Sequence, residues 1–257
     1  MISTKKILKK KRNTPIVCLT AYSQNIAKIA DKYCDIILVG DSLGMVLYGM
    51  RTTRDVKIDT MIVHAKAVKN FTKKSLVVFD MPYKTYENKF LAYKNAKRVM
   101  KLTKCDAIKL EGGVKIVKII KHLVKKGIPV MGHIGLLPQT TNNFKVKGIN
   151  LNQRKQILKD ALAISKAGAF AIVIECVVEN LAKEITKNVS IPTIGIGASK
   201  YCDGQILVTE DMLGLSNSLP KFVKRYGNLN KVIEKYVKKY AKDVKMKRFP
   251  SHKNIYK

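Results

Sequence analysis

Four acidic side chains follow short apolar runs of the sequence, a position in which carboxylates often do chemistry. Asp41 follows IILVG, Asp80 follows LVVF, Glu111 follows AIKL and Glu175 follows AIVI. Apolar runs without alternation are typical of strands buried on both faces of a parallel sheet. Such sheets carry their functional residues at the carboxyl ends of the strands. Since the chain has only 18 acidic residues, we expect these four to meet at one edge of the sheet.

Three of these acids suggest a metal site. Asp41, Asp80 and Glu111 end consecutive predicted strands, so their side chains converge in a closed or open parallel sheet. Carboxylates brought together repel one another unless a cation lies between them. Ligands that are all oxygens suit Mg²⁺ or Ca²⁺ better than zinc. The alternative is that each acid caps a helix or lies on the surface.

Four further side chains near these strand ends are candidates. Lys109 shares a strand face with Glu111, where it can bind an anionic substrate, form a Schiff base or simply pair with Glu111. Glu175 suits general acid–base work, with an ion pair to a lysine as its alternative. His133, in the run Gly-His-Ile-Gly, is either a site residue or a structural histidine. Ser42 either donates a hydrogen bond to substrate or caps the next turn.

The elements that must position these residues read as an α/β fold. Eight apolar runs alternate mostly with helical patterns, which predicts parallel strands joined by right-handed crossovers. Eight such units in 257 residues fit a (β/α)8 TIM barrel. A doubly wound sheet is the alternative, but no GxGxxG follows the first run. We predict a basic N-terminal extension over residues 1–14 and a single barrel domain over residues 15–257 that ends in a C-terminal helix.

The composition is strongly basic, with a formal net charge of +32. This charge raises the possibility of nucleic-acid binding, but only seven of the 50 basic residues are arginine and no recognition motif accompanies them. The five cysteines lack metal-ligand spacing and are typical of a reducing compartment. Neither a secretory signal nor a membrane-spanning run is present. We therefore expect a soluble cytoplasmic protein that binds neither nucleic acid nor membrane.

The chain resembles the ketopantoate hydroxymethyltransferases (3-methyl-2-oxobutanoate hydroxymethyltransferases) in eight short stretches. The stretches occur in the family's order and with its spacing, and the resemblance covers the chain from about residue 14 to residue 245. Each stretch is weak alone, but the set is specific. The stretches are LTAY from residue 19, VGDSLGM from 39, DMPY from 80, KLEGG from 109, GHIGL from 132, ECV from 175, IGIGA from 194 and DGQILV from 203.

The resemblance implies a barrel of the phosphoenolpyruvate/pyruvate-binding type, assembled as a homo-oligomer that is often a decamer. It also implies transfer of a hydroxymethyl group from 5,10-methylenetetrahydrofolate to 3-methyl-2-oxobutanoate, giving 2-dehydropantoate for pantothenate and coenzyme A biosynthesis. Mg²⁺ would assist removal of the C3 proton. The implied roles are Mg²⁺ binding by Asp41, Asp80 and Glu111, substrate binding by Asp41, Ser42, Asp80 and Lys109, and proton acceptance by Glu175; we add His133 to the substrate-binding set.

The chain departs from the family pattern in the region that, by the resemblance, would bind the folate. Ser23 stands where the family usually has Asp, and the loop over residues 139–149 is shorter than usual. Three alternatives stay open at this point. The first is a metal-dependent carbon–carbon lyase or aldolase acting on a related oxo acid without folate. The second is a covalent aldolase that uses Lys109, and the third is a basic nucleic-acid-binding protein.

Overall fold

The computed structural model describes residues 2–141, 144–216 and 219–256, and its chain divides into two compact units, Met1–Val208 and Thr209–Lys257. The first unit is a closed barrel of eight parallel strands, in which each strand pairs with the next and the last pairs with the first. This confirms the predicted (β/α)8 TIM barrel and excludes the doubly wound sheet. The strands are β1 (Ile16–Thr20), β2 (Ile36–Val39), β3 (Leu76–Asp80), β4 (Ala107–Glu111), β5 (Val130–Gly135), β6 (Ala171–Glu175), β7 (Thr193–Ile196) and β8 (Gly204–Leu207).

Helices precede β1 and connect most of the strands, as parallel pairing requires. Short 3₁₀ helices over Thr53–Asp55 and Val114–Ile116 complete two of the connections. The helices of the first unit are α1 (Thr4–Lys9), α2 (Gln24–Tyr33), α3 (Leu43–Val46), α4 (Ile58–Lys69), α5 (Lys89–Thr103), α6 (Val117–Lys125), α7 (Leu151–Lys166) and α8 (Glu179–Asn188).

Alternation along the strands separates two apolar clusters. In β2, Ile36 and Leu38 belong to the cluster inside the barrel, whereas Ile37 and Val39 belong to the cluster between strands and helices. Because successive side chains of a strand point to opposite faces, a strand buried on both faces needs apolar residues at every position. This explains the unbroken apolar runs of the sequence.

The N-terminal segment contributes to the interior of the barrel. Ile7 of α1 is fully buried in the same cluster as Ile16 and Ile36, which begin β1 and β2. Beyond the helix, Nζ of Lys11 lies 2.8 Å from Oδ2 of Asp203. Residues 1–14 were predicted to be an extension, and within this segment Ile7 fills space at the amino ends of the strands. The predicted domain limits stay a prediction.

The second unit contains α9 (Thr209–Met212), α10 (Leu229–Lys245) and a 3₁₀ helix over His252–Asn254. The helix α10 corresponds to the predicted C-terminal helix. Throughout the described parts of both units, no helix combines the length and the apolar character that crossing a membrane demands.

Candidate active site

Five of the predicted side chains face the barrel interior because of strand periodicity. Each of them lies an even number of residues after a member of the apolar cluster inside the barrel, on the same strand. These side chains are Asp80, Lys109, Glu111, His133 and Glu175. Three of them end their strands, and the strand register sets Asp80 beside Lys109 and Glu111 beside His133. The sequence spacing therefore places these charged groups together at the carboxyl ends of the strands.

Asp80 and Lys109 form a buried ion pair. Nζ of Lys109 lies 2.8 Å from each carboxylate oxygen of Asp80 and 3.8 Å from Oε1 of Glu111. Burial lowers the pKa of Lys109, but the charges of Asp80, Glu111 and Asp41 outweigh it and raise this pKa above its usual range. Burial in turn raises the pKa of Asp80, although Lys109 opposes the shift. A lysine held as an ammonium is a poor Schiff-base nucleophile, which argues against the covalent aldolase.

His133 connects Glu111 with Glu175. Its Nδ1 lies 3.2 Å from Oε1 of Glu111, and its Nε2 lies 3.2 Å from Oε2 of Glu175. These are close ion-pair contacts whose angles depart from hydrogen-bond geometry. Burial and Lys109 lower the pKa of His133, but the two glutamates prevail and raise it to about 9. Burial raises the pKa of Glu111, but His133 and Lys109 lower it overall. At neutral pH the imidazolium thus bridges two carboxylates.

Asp41 joins the cluster from the turn after β2. Its backbone N–H donates to Oδ2 of Asp80 across 3.4 Å, and its own Oδ2 accepts a hydrogen bond of 2.8 Å from Nε2 of Gln139. Burial and the charges of Asp80 and Glu111 raise the pKa of Asp41 well above its usual range. The ion pairs of this cluster involve Asp80, Glu111 and Glu175, and among the described residues Asp41 takes part in none.

Ser42 lies beside the cluster and contacts a different partner. Its Oγ is 2.8 Å from the hydroxyl of Tyr22, a residue buried at the end of β1. Within residues 2–141, 144–216 and 219–256, the Ser42 side chain makes no hydrogen bond to Asp41, Asp80 or Lys109. The structure therefore groups six of the seven predicted side chains by direct contact or through Gln139, with Ser42 adjacent along the chain.

The donor chemistry fits a hard divalent cation. Asp41, Asp80 and Glu111 supply carboxylate oxygens, and Oδ2 of Asp41 contacts the neutral amide of Gln139. Among the described residues, no group of three or more His, Cys, Asp or Glu side chains is arranged so that it could hold a metal ion. Mg²⁺ commonly takes only one or two carboxylates and completes its octahedron with water and substrate oxygens. The residues present therefore fit Mg²⁺ of that partly open kind.

Comparison with known proteins gives the family. The family model for ketopantoate hydroxymethyltransferase matches residues 1–252. A 3-methyl-2-oxobutanoate hydroxymethyltransferase of Pelagibacter ubique is 55% identical, with 98% of this chain and 99% of the relative covered. The chain belongs to the ketopantoate hydroxymethyltransferase family. The enzyme of the same name from Bartonella quintana is also 55% identical, over 100% of this chain and 94% of its own length.

Two solved structures share the fold at much lower identity than these ketopantoate hydroxymethyltransferases. A phosphonopyruvate hydrolase in complex with oxalate and Mg²⁺ has a TM-score of 0.64 at 12% identity, covering 99% of this chain and 93% of its own. A 2,3-dimethylmalate lyase of the PEP mutase/isocitrate lyase superfamily has a TM-score of 0.63 at 12% identity, covering 97% and 87%. At this identity the likeness shows the fold alone.

Two buried residues of this ketopantoate hydroxymethyltransferase site were not predicted as site residues. Gln139 contacts Asp41 through its side chain and Glu111 through its backbone N–H. Tyr86 donates to the side-chain oxygen of Gln139. Neither follows an apolar run directly, and Gln139 is 98 residues from Asp41 in sequence. Only the fold brings them together.

The two departures from the family pattern lie outside this cluster of contacts. Ser23 precedes α2 and makes no side-chain capping bond there. In the loop over residues 139–149, the backbone N–H of Lys147 donates to the carbonyl oxygen of Cys176 across 2.7 Å, and the carbonyl oxygen of Lys147 accepts from the N–H of Val178 across 3.1 Å. The loop is thus hydrogen-bonded to the segment after β6. Residues 142 and 143 of this loop lie outside the described residues. The effect of Ser23 and of this loop on folate binding stays a prediction.

Proposed function

We propose that this protein transfers a hydroxymethyl group from 5,10-methylenetetrahydrofolate to 3-methyl-2-oxobutanoate, giving 2-dehydropantoate in pantothenate biosynthesis. The names of its 55% identical relatives support the reaction. The observation that carries the proposal is the continuous series of contacts from the buried Asp80 through Lys109, Glu111 and His133 to the partly exposed Glu175. At one rim of the barrel it brings together carboxylates that can bind a metal ion, an ammonium group that can bind an anionic substrate, and a carboxylate that can act as a base.

Asp41, Asp80 and Glu111 would hold Mg²⁺. When bound, the metal supplies Lewis acidity, polarising the keto group of the oxo acid and stabilising negative charge that develops on its oxygen. Lys109 stays an ammonium because Asp80 flanks it, and it offers positive charge to the substrate carboxylate. Asp41, Ser42, Asp80 and His133 complete the proposed substrate contacts.

Glu175 is the proposed proton acceptor. Its side chain is 18% exposed, whereas that of Glu111 is 1% exposed, so Glu175 is the glutamate of this pair that a substrate can reach. The ring of His133 holds it from the inner side. In the reaction the C3–H bond breaks and its proton passes to Glu175. Water hydrolyses the one-carbon unit of the folate: its two C–N bonds break, the two hydrogens of the water pass to N5 and N10 of the departing tetrahydrofolate, and the oxygen stays on the carbon as formaldehyde. C3 then bonds to this carbon, and the proton held by Glu175 passes to the alkoxide that forms.

Family membership favours this reaction over the metal-dependent lyase and over a nucleic-acid-binding protein. The lyases among the structural neighbours share only the fold at 12% identity. A homo-oligomeric assembly and a cytoplasmic location stay predictions.

The test is proton NMR of 3-methyl-2-oxobutanoate in D₂O with the purified protein, first with Mg²⁺ and then with EDTA. We expect the C3 proton signal to disappear only with Mg²⁺, because removal of that proton needs the polarised carbonyl. Glu175→Gln should slow the exchange at least about 100-fold, since a positioned base contributes about 10²–10⁴-fold. Adding 5,10-methylenetetrahydrofolate should then yield 2-dehydropantoate.

Glu179→Gln is the matched control, because Glu179 is an exposed residue that begins α8. This variant should exchange at the rate of the unmodified protein. Exchange that persists in EDTA would contradict the metal role. Absence of exchange in every condition, with tetrahydrofolate added as well, would overturn the proposed function.

A further inference from the structure

Gln139 is a buried polar side chain at the rim of the barrel, and its amide nitrogen and amide oxygen both have hydrogen-bond partners. It follows β5 by four residues and is 1% exposed. Its Nε2 donates to Oδ2 of Asp41 across 2.8 Å and to the carbonyl oxygen of Met81 across 3.0 Å, and its backbone N–H donates to Oε2 of Glu111 across 3.1 Å. One residue thus holds two carboxylates that come from different strands.

The orientation of this amide is fixed by its partners. Nε2 has two hydrogens, and acceptors on Asp41 and Met81 take both. The side-chain oxygen of Gln139 accepts from the hydroxyl of Tyr86, which in turn lies 3.3 Å from the backbone nitrogen of Glu111. A flipped amide would set its oxygen against the carboxylate and the carbonyl, so only one orientation satisfies every atom.

We propose that Gln139, oriented by Tyr86, is a positioning residue that sets the carboxylates of Asp41 and Glu111 for a divalent cation. This inference rests on the proposed function. The bond from Gln139 occupies Oδ2 of Asp41, while in the part of the chain that the structure describes Oδ1 of Asp41 makes no hydrogen bond. Gln139 therefore holds one oxygen of the Asp41 carboxylate and leaves the other available to a ligand.

Fixed carboxylates favour cation binding because the protein does not have to reorganise when the ion arrives. Without the amide, the Asp41 carboxylate loses the hydrogen bond that holds its Oδ2. Partners that orient metal ligands typically change metal affinity or activity by about 10–100-fold. We expect Gln139 to act at that scale.

The experiment measures Mn²⁺ affinity by electron paramagnetic resonance of free Mn²⁺ during titration of the full-length protein. Gln139→Met keeps a side chain of similar length and removes both donors and the acceptor. It should weaken Mn²⁺ binding by about 10-fold or more. Tyr86→Phe leaves the amide in place without its anchor, and it should weaken binding in the same direction by a smaller factor. Because Tyr86 acts through Gln139, the loss in the double variant should be smaller than the product of the two single losses.

Gln156→Met is the matched control. Nε2 of Gln156 also donates to an aspartate, Asp160, across 2.9 Å, but on the exposed surface of α7. This variant should bind Mn²⁺ like the unmodified protein. A folded Gln139→Met variant that binds Mn²⁺ within about twofold of the unmodified protein would overturn the inference and leave the proposed function standing.

Two other outcomes are equally decisive. If Gln139→Met does not fold, as circular dichroism in EDTA would show, then unchanged Mn²⁺ affinity in Tyr86→Phe would overturn the inference. If the unmodified protein binds no Mn²⁺, both this inference and the metal role in the proposed function are wrong. Exchange of the C3 proton, measured in the same samples, shows whether the inference fails alone or the proposed function fails with it.

Discussion

Replacing Lys109 by methionine tests how the buried charges of the barrel balance. Nζ of Lys109 lies 2.8 Å from both oxygens of Asp80, and the two side chains are 5% and 3% exposed. Methionine fills similar space without the charge, so Asp80 and Glu111 lose their nearest lysine. Breaking a buried pair by removing one partner costs about 3–5 kcal/mol. For a chain of this size we expect the unfolding midpoint to fall by about 6–20 °C.

The effect should depend on pH in a defined direction. Losing Lys109 removes the interaction that lowers the pKa of Asp80, so this already raised pKa rises further. A carboxyl whose pKa is higher in the folded than in the unfolded state favours folding when protonated. The destabilisation should therefore be largest above that raised pKa and should shrink as the pH falls through it.

The assay is chemical unfolding of both proteins in EDTA, at pH 8 and at pH 5.5, followed by circular dichroism. A control removes a surface ion pair of the same barrel. Nη2 of Arg154 lies 3.3 Å from Oε2 of Glu184, and the two side chains are 31% and 44% exposed. Arg154→Met should cost only about 0.2–1 kcal/mol. A Lys109→Met variant within about 1 kcal/mol of the unmodified protein at pH 8 would refute the reasoning.

Two further predictions concern the amino ends of the strands. Ile7→Ala should lower the free energy of unfolding by about 2–5 kcal/mol, because it opens a cavity in the apolar cluster inside the barrel. Unfolding in denaturant measures this loss. A loss below about 0.5 kcal/mol would show that the packing of α1 is dispensable. In Asp203, burial raises the carboxyl pKa, but hydrogen bonds from Lys11, Thr193 and the backbone of Arg12 lower it overall. The stability it contributes should be present above an unfolded pKa of about 3.9 and lost as the pH falls below it; an Asp203→Asn variant whose deficit stayed constant from pH 7 to pH 3 would contradict this.

The sequence predicted the strand ends and the inward-facing charges well. Lys109 and Glu111 share a face because strand side chains alternate with a period of two, and the structure places both inside the barrel. The predicted C-terminal helix extends over Leu229–Lys245, and the exact ends of such a helix depend on local capping. The four-residue helix α3 was not predicted.

Contacts between distant segments could not be predicted in this way. The partner of Asp41 is 98 residues away along the chain, in a loop whose residue types carry no local signal for metal or substrate binding. The burial of Ile7 likewise depends on where the amino ends of the strands meet. Spacing rules describe one element at a time, whereas these contacts depend on how elements close around the barrel.

The sequence by itself thus determined the barrel, its family and the side chains that line its rim, because alternation and short motifs are local properties of the chain. The tertiary structure alone decided which of those side chains touch. It set the ammonium of Lys109 against Asp80, placed His133 between two glutamates and brought Gln139 to Asp41. The physical reason is that charge pairing and pKa depend on distances of a few ångströms, and closure of the sheet fixes those distances.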